Sequence, residues 1–241
     1  MAKSAIVIGG GIGGLATAAL LAKSGMKVQL FEGRDAVGGR ASLWEQDGFK
    51  FDMGPSWYLM PDAFEQFFKL MGTTAANELE LVRLDPAYQT RNEGYGDKLV
   101  IRESVCDNKA LFEAIQTGAG DGLQRYLDSA EDTYKLAVDH FLYTNFENTK
   151  SFTHPDVLKR VGTFVKHLLT SLDTFVGKHV RDDRLREILD FPAVFLGASP
   201  YQTPSMYHLM THIDMNVGVF YPQGGLYTII EAIERLARAH G

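Results

Sequence analysis

Apolar and polar positions at the start of the chain follow the order expected for a strand, a turn, a helix and a second strand. The sequence AIVIGGGIGGLATAALLAKSG predicts a strand at 5–8, a glycine turn at 9–14 and a helix at 15–24 that Gly25 ends. The next residues, KVQLF at 27–31, alternate as a second strand. Because a helix connects the two strands, the pattern predicts a parallel α/β unit.

The uncharged run at 5–22 also resembles a signal peptide or a membrane span. Five of its eighteen residues are glycine, and each glycine costs about 1 kcal/mol relative to alanine inside a helix. Neither a spanning helix nor a signal peptide needs this cluster or the patterned sequence that follows it. The α/β interpretation is therefore favoured.

The middle of the chain has a mixed pattern. Strands are predicted at 78–85, 88–92 and 98–104, with the turn EGYGD between the last two. From residue 108 the pattern becomes helical, with a predicted helix at 121–141. This region therefore predicts an α+β insertion.

A further helix is predicted at 155–180, because apolar residues recur there at intervals of three and four. The wide apolar face is typical of a core helix. With basic residues on the other faces, it is also compatible with a helix that lies on a membrane surface. The basic residues are Lys159, Arg160, Lys166 and Lys178.

The glycine turn fits the spacing G-x-G-x-x-G. In this motif Gly9 permits the tight turn, Gly11 lets the backbone approach a pyrophosphate, and Gly14 lets the helix pack on the strand. The N–H groups and the dipole at the helix start favour negative charge. We predict that Gly9, Gly11, Ile12, Gly13 and Gly14 bind a dinucleotide; a tight turn without a ligand is the alternative.

An acid directly after the second strand narrows the choice of dinucleotide. Glu32 lies where a carboxylate accepts hydrogen bonds from an adenosine ribose, and it disfavours a 2′-phosphate, which leaves FAD or NAD. The following sequence, GRDAVGGRAS, adds a second glycine pair and two arginines, more anion-binding capacity than a simple NAD fold needs. FAD is therefore predicted, with a second loop that contributes Gly33, Arg34, Gly38, Gly39 and Arg40.

A third motif, FKFDMGPSWYLMP at 49–61, alternates briefly as a strand and then adds the predicted contacts Gly54, Pro55 and Ser56. The order GxGxxG, acid, GGR and D-x-G-P-S resembles carotenoid desaturases of the bacterial phytoene desaturase type, within the amine-oxidase-like FAD superfamily. Near the other end, YPQGGLYTIIEAIERLARAHG at 221–241 resembles the P-x-GG segment and helix of that family.

The resemblance implies an α/β fold class, a Rossmann-like FAD-binding domain with an inserted α+β substrate domain. It assigns 1–77 and 216–241 to the FAD-binding domain and 78–215 to a substrate and membrane-facing region. Members of that family are considerably longer, so we expect the C-terminal part of the fold to be missing. We expect activity to need that part in cis, from a complementing C-terminal half or from an oligomer.

The implied activity is FAD-dependent desaturation of a lipophilic polyene such as phytoene, taken up from a peripheral membrane surface. The cofactor carries such chemistry, and no catalytic residue is assigned. The alternatives are a redox-neutral carotenoid isomerase or another amine-oxidase-like FAD oxidoreductase, and an inactive truncated fragment that binds only nucleotide or lipid.

Composition narrows the remaining classes. The net charge of −6 over 241 residues argues against nucleic acid, which calls for a basic face. Cys106 is the only cysteine, which excludes an intramolecular disulfide and indicates a reducing compartment. A cytoplasmic, peripherally membrane-associated protein is therefore expected. His208 and His212 have zinc-like spacing but lack a third ligand, so no metal is predicted.

Overall fold

The computed structural model describes residues 3–147 and 150–241. The chain divides into two compact units: unit 1 comprises Met1–Leu84 and Val219–Gly241, and unit 2 comprises Asp85–Gly218. The chain therefore leaves unit 1 once and returns to it. The domain boundaries predicted from the sequence lie after residues 77 and 215.

The glycine-rich start of the chain folds as a parallel βαβ unit in unit 1. Strand β1 (Ser4–Ile8) leads through the glycine turn into helix α1 (Ile12–Lys23), and strand β2 (Lys27–Phe31) runs parallel to β1. Gly25 has φ of +86°, which glycine adopts without strain, and it follows the end of α1 as predicted.

The last helix of the chain, α11 (Tyr227–Ala239), packs on α1. Helix α1 offers small side chains to this contact, since its buried residues include three alanines. Helix α11 buries the apolar side of an amphipathic pattern, and both helices contribute to one hydrophobic cluster. Its fully or nearly fully buried helical side chains include Leu15, Ile229, Ile230 and Ile233.

One face of the β1–β2 pair is exposed. Ile6, Ile8 and Phe31 point to that face, and Ile8 is 87% exposed. The alternate positions Val7 and Leu30 are partly buried. Parallel sheets are normally covered on both faces. Unit 1, in contrast, presents an apolar sheet face without a covering layer among its described residues.

A hairpin follows the second glycine loop in unit 1. Strands β3 (Ser42–Gln46) and β4 (Phe49–Met53) pair antiparallel, and Trp44 stacks on Phe51 across the pair with ring centroids 5.1 Å apart. Asp47 and Gly48 have positive φ, as a two-residue hairpin turn requires. The sequence pattern indicated β4 and missed β3.

Two short helices and a small sheet complete unit 1. Helix α2 spans Pro61–Leu70 and α3 spans Ala75–Glu78. Strand β5 (Leu81–Arg83) pairs antiparallel with the strand that precedes α11 (Phe220–Pro222). The strand predicted at 78–85 is therefore shorter in the structure, and it belongs to unit 1.

Unit 2 begins with the predicted hairpin. Strands β6 (Tyr88–Arg91) and β7 (Lys98–Ile101) pair antiparallel on either side of the EGYGD turn. The strand before α11 is β8, the last of the eight strands in the described residues. The rest of unit 2 is helical: α4 (Val105–Ile115), α5 (Ala119–Ala137), α6 (Lys150–Thr153), α7 (Pro155–Leu169), α8 (Leu172–Val176), α9 (Asp183–Asp190) and α10 (Leu209–Thr211).

Two π-helical segments interrupt the α-helical pattern of unit 2. One, Val138–Leu142, continues α5, and the other, His212–Val217, continues α10. The helix predicted at 121–141 therefore corresponds to α5 and the first of these segments. The main core of unit 2 lies among α4, α5, α8 and α9, with Phe112, Leu123, Tyr126, Leu172, Leu185 and Ile188 almost completely buried.

The single helix predicted at 155–180 is wrong, because the structure breaks it between α7 and α8. Ser171 caps α8 by accepting the N–H of Thr174. Thr170 and Leu172 bond instead to the strand-like segment at 203–205: the Thr170 carbonyl accepts the N–H of Ser205 at 2.7 Å, and Leu172 donates to the Thr203 carbonyl at 2.8 Å. These long-range bonds replace the helical ones.

The break separates a helix that is buried in the core, α8, from a helix with an exposed apolar stripe, α7. Helix α8 buries Leu172 and Val176 in the core. Helix α7 exposes its apolar stripe, formed by Leu158, Val161, Val165, Leu168 and Leu169. The core interpretation therefore holds for α8 and is wrong for most of α7. Across the described ranges 3–147 and 150–241, no helix combines the length and apolar character needed to cross a bilayer.

Candidate cofactor-binding site

Gly9 and Gly14 meet at the turn between β1 and α1. Gly9 has φ of +97° and donates its N–H to the carbonyl of Phe31 at 2.7 Å, which ties the turn to the end of β2. A Cβ on Gly14 would lie 1.9 Å from the Gly9 carbonyl oxygen, far inside contact distance. The backbone geometry of the turn therefore requires glycine at both positions.

The acid after β2 contacts the glycine turn. Glu32 accepts the N–H of Gly10 at 2.6 Å and the N–H of Arg34 at 3.0 Å. These hydrogen bonds, chiefly that from Gly10, lower the pKa of the Glu32 carboxyl, so it is ionised at neutral pH. Gly10 was not among the predicted site residues; the run of three glycines was the signal for it. A Cβ there would lie 2.8 Å from Val37 Cγ1.

Three other predicted glycines border open space. Beyond its own chain neighbours and local helix backbone, a Cβ added to Gly11, Gly13 or Gly33 would have no heavy atom of the described residues within 4 Å. Gly11 precedes α1 and has no side chain to cap it, and the first N–H groups of a helix have no intrahelical acceptor. The helix start, including Ile12, therefore offers donors and positive partial charge with room for an anion.

The second glycine pair packs on the first. Gly38 donates its N–H to the Gly10 carbonyl at 2.8 Å, and a Cβ on Gly39 would lie 3.2 Å from Gly11 Cα. Gly38 and Gly39 have φ of +116° and +60°, in the region that favours glycine. The two glycine loops, which we call the glycine cradle (residues 9–14 and 38–39), therefore meet backbone to backbone.

The two predicted arginines differ in their surroundings. Arg34 donates through Nη1 to the Gly39 carbonyl at 3.3 Å, so it braces the second loop. Arg40 is exposed, and its guanidinium has no hydrogen bond or ion pair within the part of the chain that the structure describes. Arg40 therefore keeps its donors available to a ligand.

The D-x-G-P-S motif lies beside the second loop. Gly54 has φ of +113°, and a Cβ there would lie 2.3 Å from the Arg40 carbonyl oxygen. Pro55 and Ser56 are exposed. Tyr58, just beyond them, is almost completely buried and exchanges two backbone hydrogen bonds with Phe220, at 2.8 and 3.2 Å.

Asp52 joins this motif to the P-x-GG segment. Its carboxylate accepts the hydroxyl of Tyr221 at 2.6 Å and the N–H groups of Leu226 and Tyr227 at 3.0 and 3.3 Å. A Cβ on Gly225 would lie 3.2 Å from Asp52 Oδ1. Asp52 was not predicted as a site residue, and its place two residues before Gly54 was the signal that could have found it.

Unit 2 buries ionisable groups that the sequence did not single out. Tyr88 donates to Asp214 Oδ2 at 3.2 Å, and burial raises the pKa of the Asp214 carboxyl to about 8. Burial, with a further contribution from Asp173, raises the pKa of Asp190 to about 7. Both groups lie in the unit predicted to face the substrate.

The two histidines with zinc-like spacing have hydrogen-bond partners. His208 is buried, with Nδ1 2.7 Å from the Ser205 carbonyl and Nε2 2.9 Å from Ser129 Oγ, and burial lowers its pKa to about 4. His212 Nδ1 lies 2.9 Å from Asn216 Nδ2. These contacts account for both residues without a metal.

A group of potential metal ligands lies elsewhere in unit 2. Single ligand atoms of His140, His154 and Asp156 lie within 4.8 Å of one another. His154 Nδ1 already accepts the N–H of Asp156 as the cap of α7, and both of these residues are exposed. We assign no metal to this group.

The sequence of this chain matches the family model described as flavin containing amine oxidoreductase over residues 12–241. The chain belongs to this family. It is 37% identical over 235 residues to a carotenoid 3,4-desaturase of Haloarcula japonica, covering 98% of this chain and 47% of that protein. It is 35% identical over 236 residues to a zeta-carotene-forming phytoene desaturase of Myxococcus xanthus, covering 98% of this chain and 45% of that protein. The predicted resemblance is confirmed.

A solved structure shows the same fold. An oxidoreductase from Methanosarcina mazei superposes with a TM-score of 0.58 at 21% identity, covering 99% of this chain and 50% of that one. This likeness confirms the predicted α/β fold class, and membership of the flavin-containing family confirms the FAD cofactor. The chain spans about half the length of the curated relatives it matches.

Proposed function

We propose that this chain carries the FAD-binding and substrate-facing parts of a carotenoid desaturase, which introduces C=C bonds into a lipophilic polyene such as phytoene. The observation that carries the proposal is the glycine cradle, in which Gly38 packs on Gly10 and the start of α1 remains open. The names of the relatives support a polyene substrate.

Within this proposal, the N–H groups of Gly11, Ile12 and Gly13 bind the pyrophosphate of FAD. Glu32 accepts ribose hydroxyls through the lone pairs that Gly10 and Arg34 leave free, since an ionised carboxylate offers about four acceptor sites. Arg40 supplies a charge-assisted contact. The residues that shape the site are Gly9, Gly14, Gly33, Gly38, Gly39, Gly54, Pro55 and Ser56.

When bound, FAD would supply the acceptor for a hydride equivalent from a saturated carbon flanked by double bonds. A proton would leave the neighbouring carbon, so that the C–H electron pair left behind forms the new C=C bond. The protein's task is then to hold the cofactor and to keep water from the reacting carbons. Unit 1 would be the FAD-binding domain, and unit 2 the substrate and membrane-facing region.

The exposed sheet face of unit 1 supports a need for a further segment. Ile6, Ile8 and Phe31 form an apolar surface on the β1–β2 pair, and parallel strands are normally covered on both sides. We propose that a complementing C-terminal half, in the same polypeptide or in an oligomer, covers this face and completes the FAD site.

The exposed stripe of α7 supports peripheral attachment to a membrane, from which a polyene would be drawn. Five large apolar side chains are exposed on this helix, and Lys159 and Lys166 lie beside them. The only cysteine, Cys106, is a free, exposed thiol, which fits the cytoplasm better than an oxidising compartment.

The proposal is tested by measuring flavin absorbance of the purified chain and by scanning products formed from phytoene, with and without a complementing C-terminal half. We expect flavin retention that Gly13→Ala reduces, and desaturated polyene only when the half is supplied. Oxidation of an amine, or a product isomerised without loss of hydrogen, would assign the chain to another branch of the family. A colourless complemented protein would contradict the FAD site itself.

A further inference from the structure

Unit 2 contains a basic pocket with no part in the glycine cradle. A cavity of about 810 Å³ lies where the connection between α4 and α5 meets the segment between α8 and α9. Three cationic side chains line it, from Arg125, Lys178 and Arg181, against a single carboxylate, Asp182. The whole chain carries a net charge of −6, so this concentration of positive charge runs against the average of the molecule.

The carboxylate in the lining does not neutralise the three cations. Asp182 is paired with Arg184, which donates to it through Nε at 3.0 Å and through Nη2 at 2.9 Å. In contrast, the guanidinium groups of Arg125 and Arg181 make no hydrogen bond or ion pair with any residue in 3–147 or 150–241. The pocket therefore keeps uncompensated positive charge.

Lys178 and the neighbouring histidine add to this field. The Lys178 ammonium lies 6.0 Å from the Phe175 ring centroid, a weak contact, and it has no ionic partner among the described residues. Burial lowers the pKa of the His179 imidazole, and the charges of Arg125 and Lys178 lower it further. The charges of Arg125 and Lys178 therefore both act on His179, which lines the pocket.

The neutral lining also presents donors. Gln116 Oε1 accepts the N–H groups of Arg181 and Asp182 at 2.7 and 2.8 Å. Because these two bonds fix the oxygen of the amide, its NH₂ group is left to donate elsewhere. The N–H groups at the start of α5 are not counted among these donors, because Glu113 already accepts those of Gly118 and Gly120.

We propose that this pocket binds a phosphate-type oxyanion through Arg125, Lys178, Arg181 and the Gln116 amide. Guanidinium groups match the geometry of phosphate oxygens and form charge-assisted hydrogen bonds with them. The shared chemistry is a phosphate group; its source is either a soluble diphosphate or the headgroup of an anionic phospholipid. This site is independent of the flavin and of the proposed desaturation.

The experiment titrates the full 241-residue chain with inorganic diphosphate and, separately, with vesicles of phosphatidylcholine with and without phosphatidic acid. Backbone amide NMR shifts are followed residue by residue, which separates this pocket from the glycine cradle. The variants are Arg125→Gln and Arg181→Gln. Arg91→Gln is the matched control, because Arg91 is exposed on β6 in the same unit and does not line the pocket.

We expect saturable shifts at residues 116–118 and 177–182 with at least one of the two phosphate sources, and the responding source identifies the ligand. Each pocket variant should weaken that binding by about tenfold, as the loss of one charge-assisted hydrogen bond predicts, whereas Arg91→Gln should not. Absence of shifts at these residues with both sources would overturn the proposal. Equal weakening by Arg91→Gln and the pocket variants would also overturn it, because it would indicate unspecific attraction.

Discussion

The carboxylate of Asp52 accepts the hydroxyl of Tyr221 at 2.6 Å, although 169 residues separate them in the chain. This bond, with those from the N–H groups of Leu226 and Tyr227, holds the start of α11 against the end of β4. The Tyr227 hydroxyl in turn donates to the Val37 carbonyl at 3.1 Å, next to Gly38. The returning part of unit 1 thereby positions the second glycine loop.

The first prediction concerns a substitution, Asp52→Asn, that removes the negative charge from this junction. Asp52→Asn places an amide NH₂ group against N–H donors, so the variant should lose about 1–3 kcal/mol of unfolding free energy, measured by urea denaturation. Asp35→Asn is the matched control, because Asp35 is exposed, and its stability should stay within about 0.5 kcal/mol of the original. An Asp52→Asn protein as stable as the control would contradict the role assigned to Asp52.

The second prediction distinguishes Gly14, which the fold of the turn requires, from Gly13, which leaves room for the ligand. Gly14→Ala should destabilise the protein with or without FAD, since its Cβ would lie 1.9 Å from the Gly9 carbonyl. Gly13→Ala enters open space in α1 and should leave the flavin-free protein equally stable or more stable, by up to about 1 kcal/mol.

The flavin affinity of Gly13→Ala should nevertheless fall, because the added methyl group occupies the space through which the pyrophosphate approaches the helix start. Thermal denaturation of the flavin-free protein and flavin fluorescence titration measure the two effects. If Gly13→Ala bound flavin as well as the original protein, the pyrophosphate would not lie over this part of α1.

The third prediction concerns Arg40, which is exposed and whose guanidinium has no partner in residues 3–147 and 150–241. Arg40→Ala should leave the stability of the flavin-free protein unchanged and weaken FAD binding by about 1.5–3 kcal/mol, provided the ligand desolvates the contact. Lys27→Ala removes an exposed charge on β2 and serves as the control. Equal flavin titration curves for both variants would exclude Arg40 from the site.

The fourth prediction follows from the burial of Asp214, which raises its pKa from 3.8 to about 8. Between these values the folded protein holds a proton that the unfolded chain releases, so stability falls as the pH rises through this window. Asp214→Asn removes this titration and can still accept the hydroxyl of Tyr88. The variant should gain up to about 1.4 kcal/mol per pH unit relative to the original protein.

Urea denaturation near pH 5 and near pH 8 measures this gain, with the exposed Asp139→Asn as control. A stability difference between Asp214→Asn and the original protein that does not change with pH would show that Asp214 is not protonated in the folded state.

Local patterns were sufficient to predict the βαβ unit, because glycine spacing and short-range alternation decide it. Strand β3 was missed since only Leu43 and Trp44 are apolar in it, and its conformation depends on pairing with β4. The apolar periodicity runs unbroken through residues 170 and 171, so the break there could not be predicted from it. That break depends on hydrogen bonds to a segment more than thirty residues away, as with the Thr170 carbonyl and Ser205.

The candidate site, like the fold, was predictable only where local sequence motifs decide it. Motif spacing identified the glycines whose conformation or packing the structure explains, such as Gly14 and Gly38. It contained Asp52, as the first residue of the D-x-G-P-S motif, but could not assign its role, because its three donors lie in the last part of the chain. It also could not identify Asp214, because the burial that shifts its pKa is a tertiary property.

The last prediction concerns the exposed stripe of α7. Leu158, Val161 and Val165 lie on one side of the helix, and Lys159 and Lys166, seven positions apart, lie together on its flank. A basic helix with an exposed apolar stripe should bind an anionic bilayer in its plane. Each lysine near such a surface contributes about 1 kcal/mol, so Lys159→Glu combined with Lys166→Glu should lower vesicle binding by more than about tenfold.

Flotation with phosphatidylserine vesicles measures this binding, and Lys98→Glu, exposed on β7 of the same unit, is the charge control. Val161→Asp tests the apolar part separately, because it removes insertion while keeping both lysines. If the helix inserts, Val161→Asp should also weaken binding to uncharged phosphatidylcholine, whereas the lysine reversals should not. A protein that stays out of the floating fraction with either lipid would exclude α7 as a membrane surface. Its stripe would then have to be covered by another polypeptide segment.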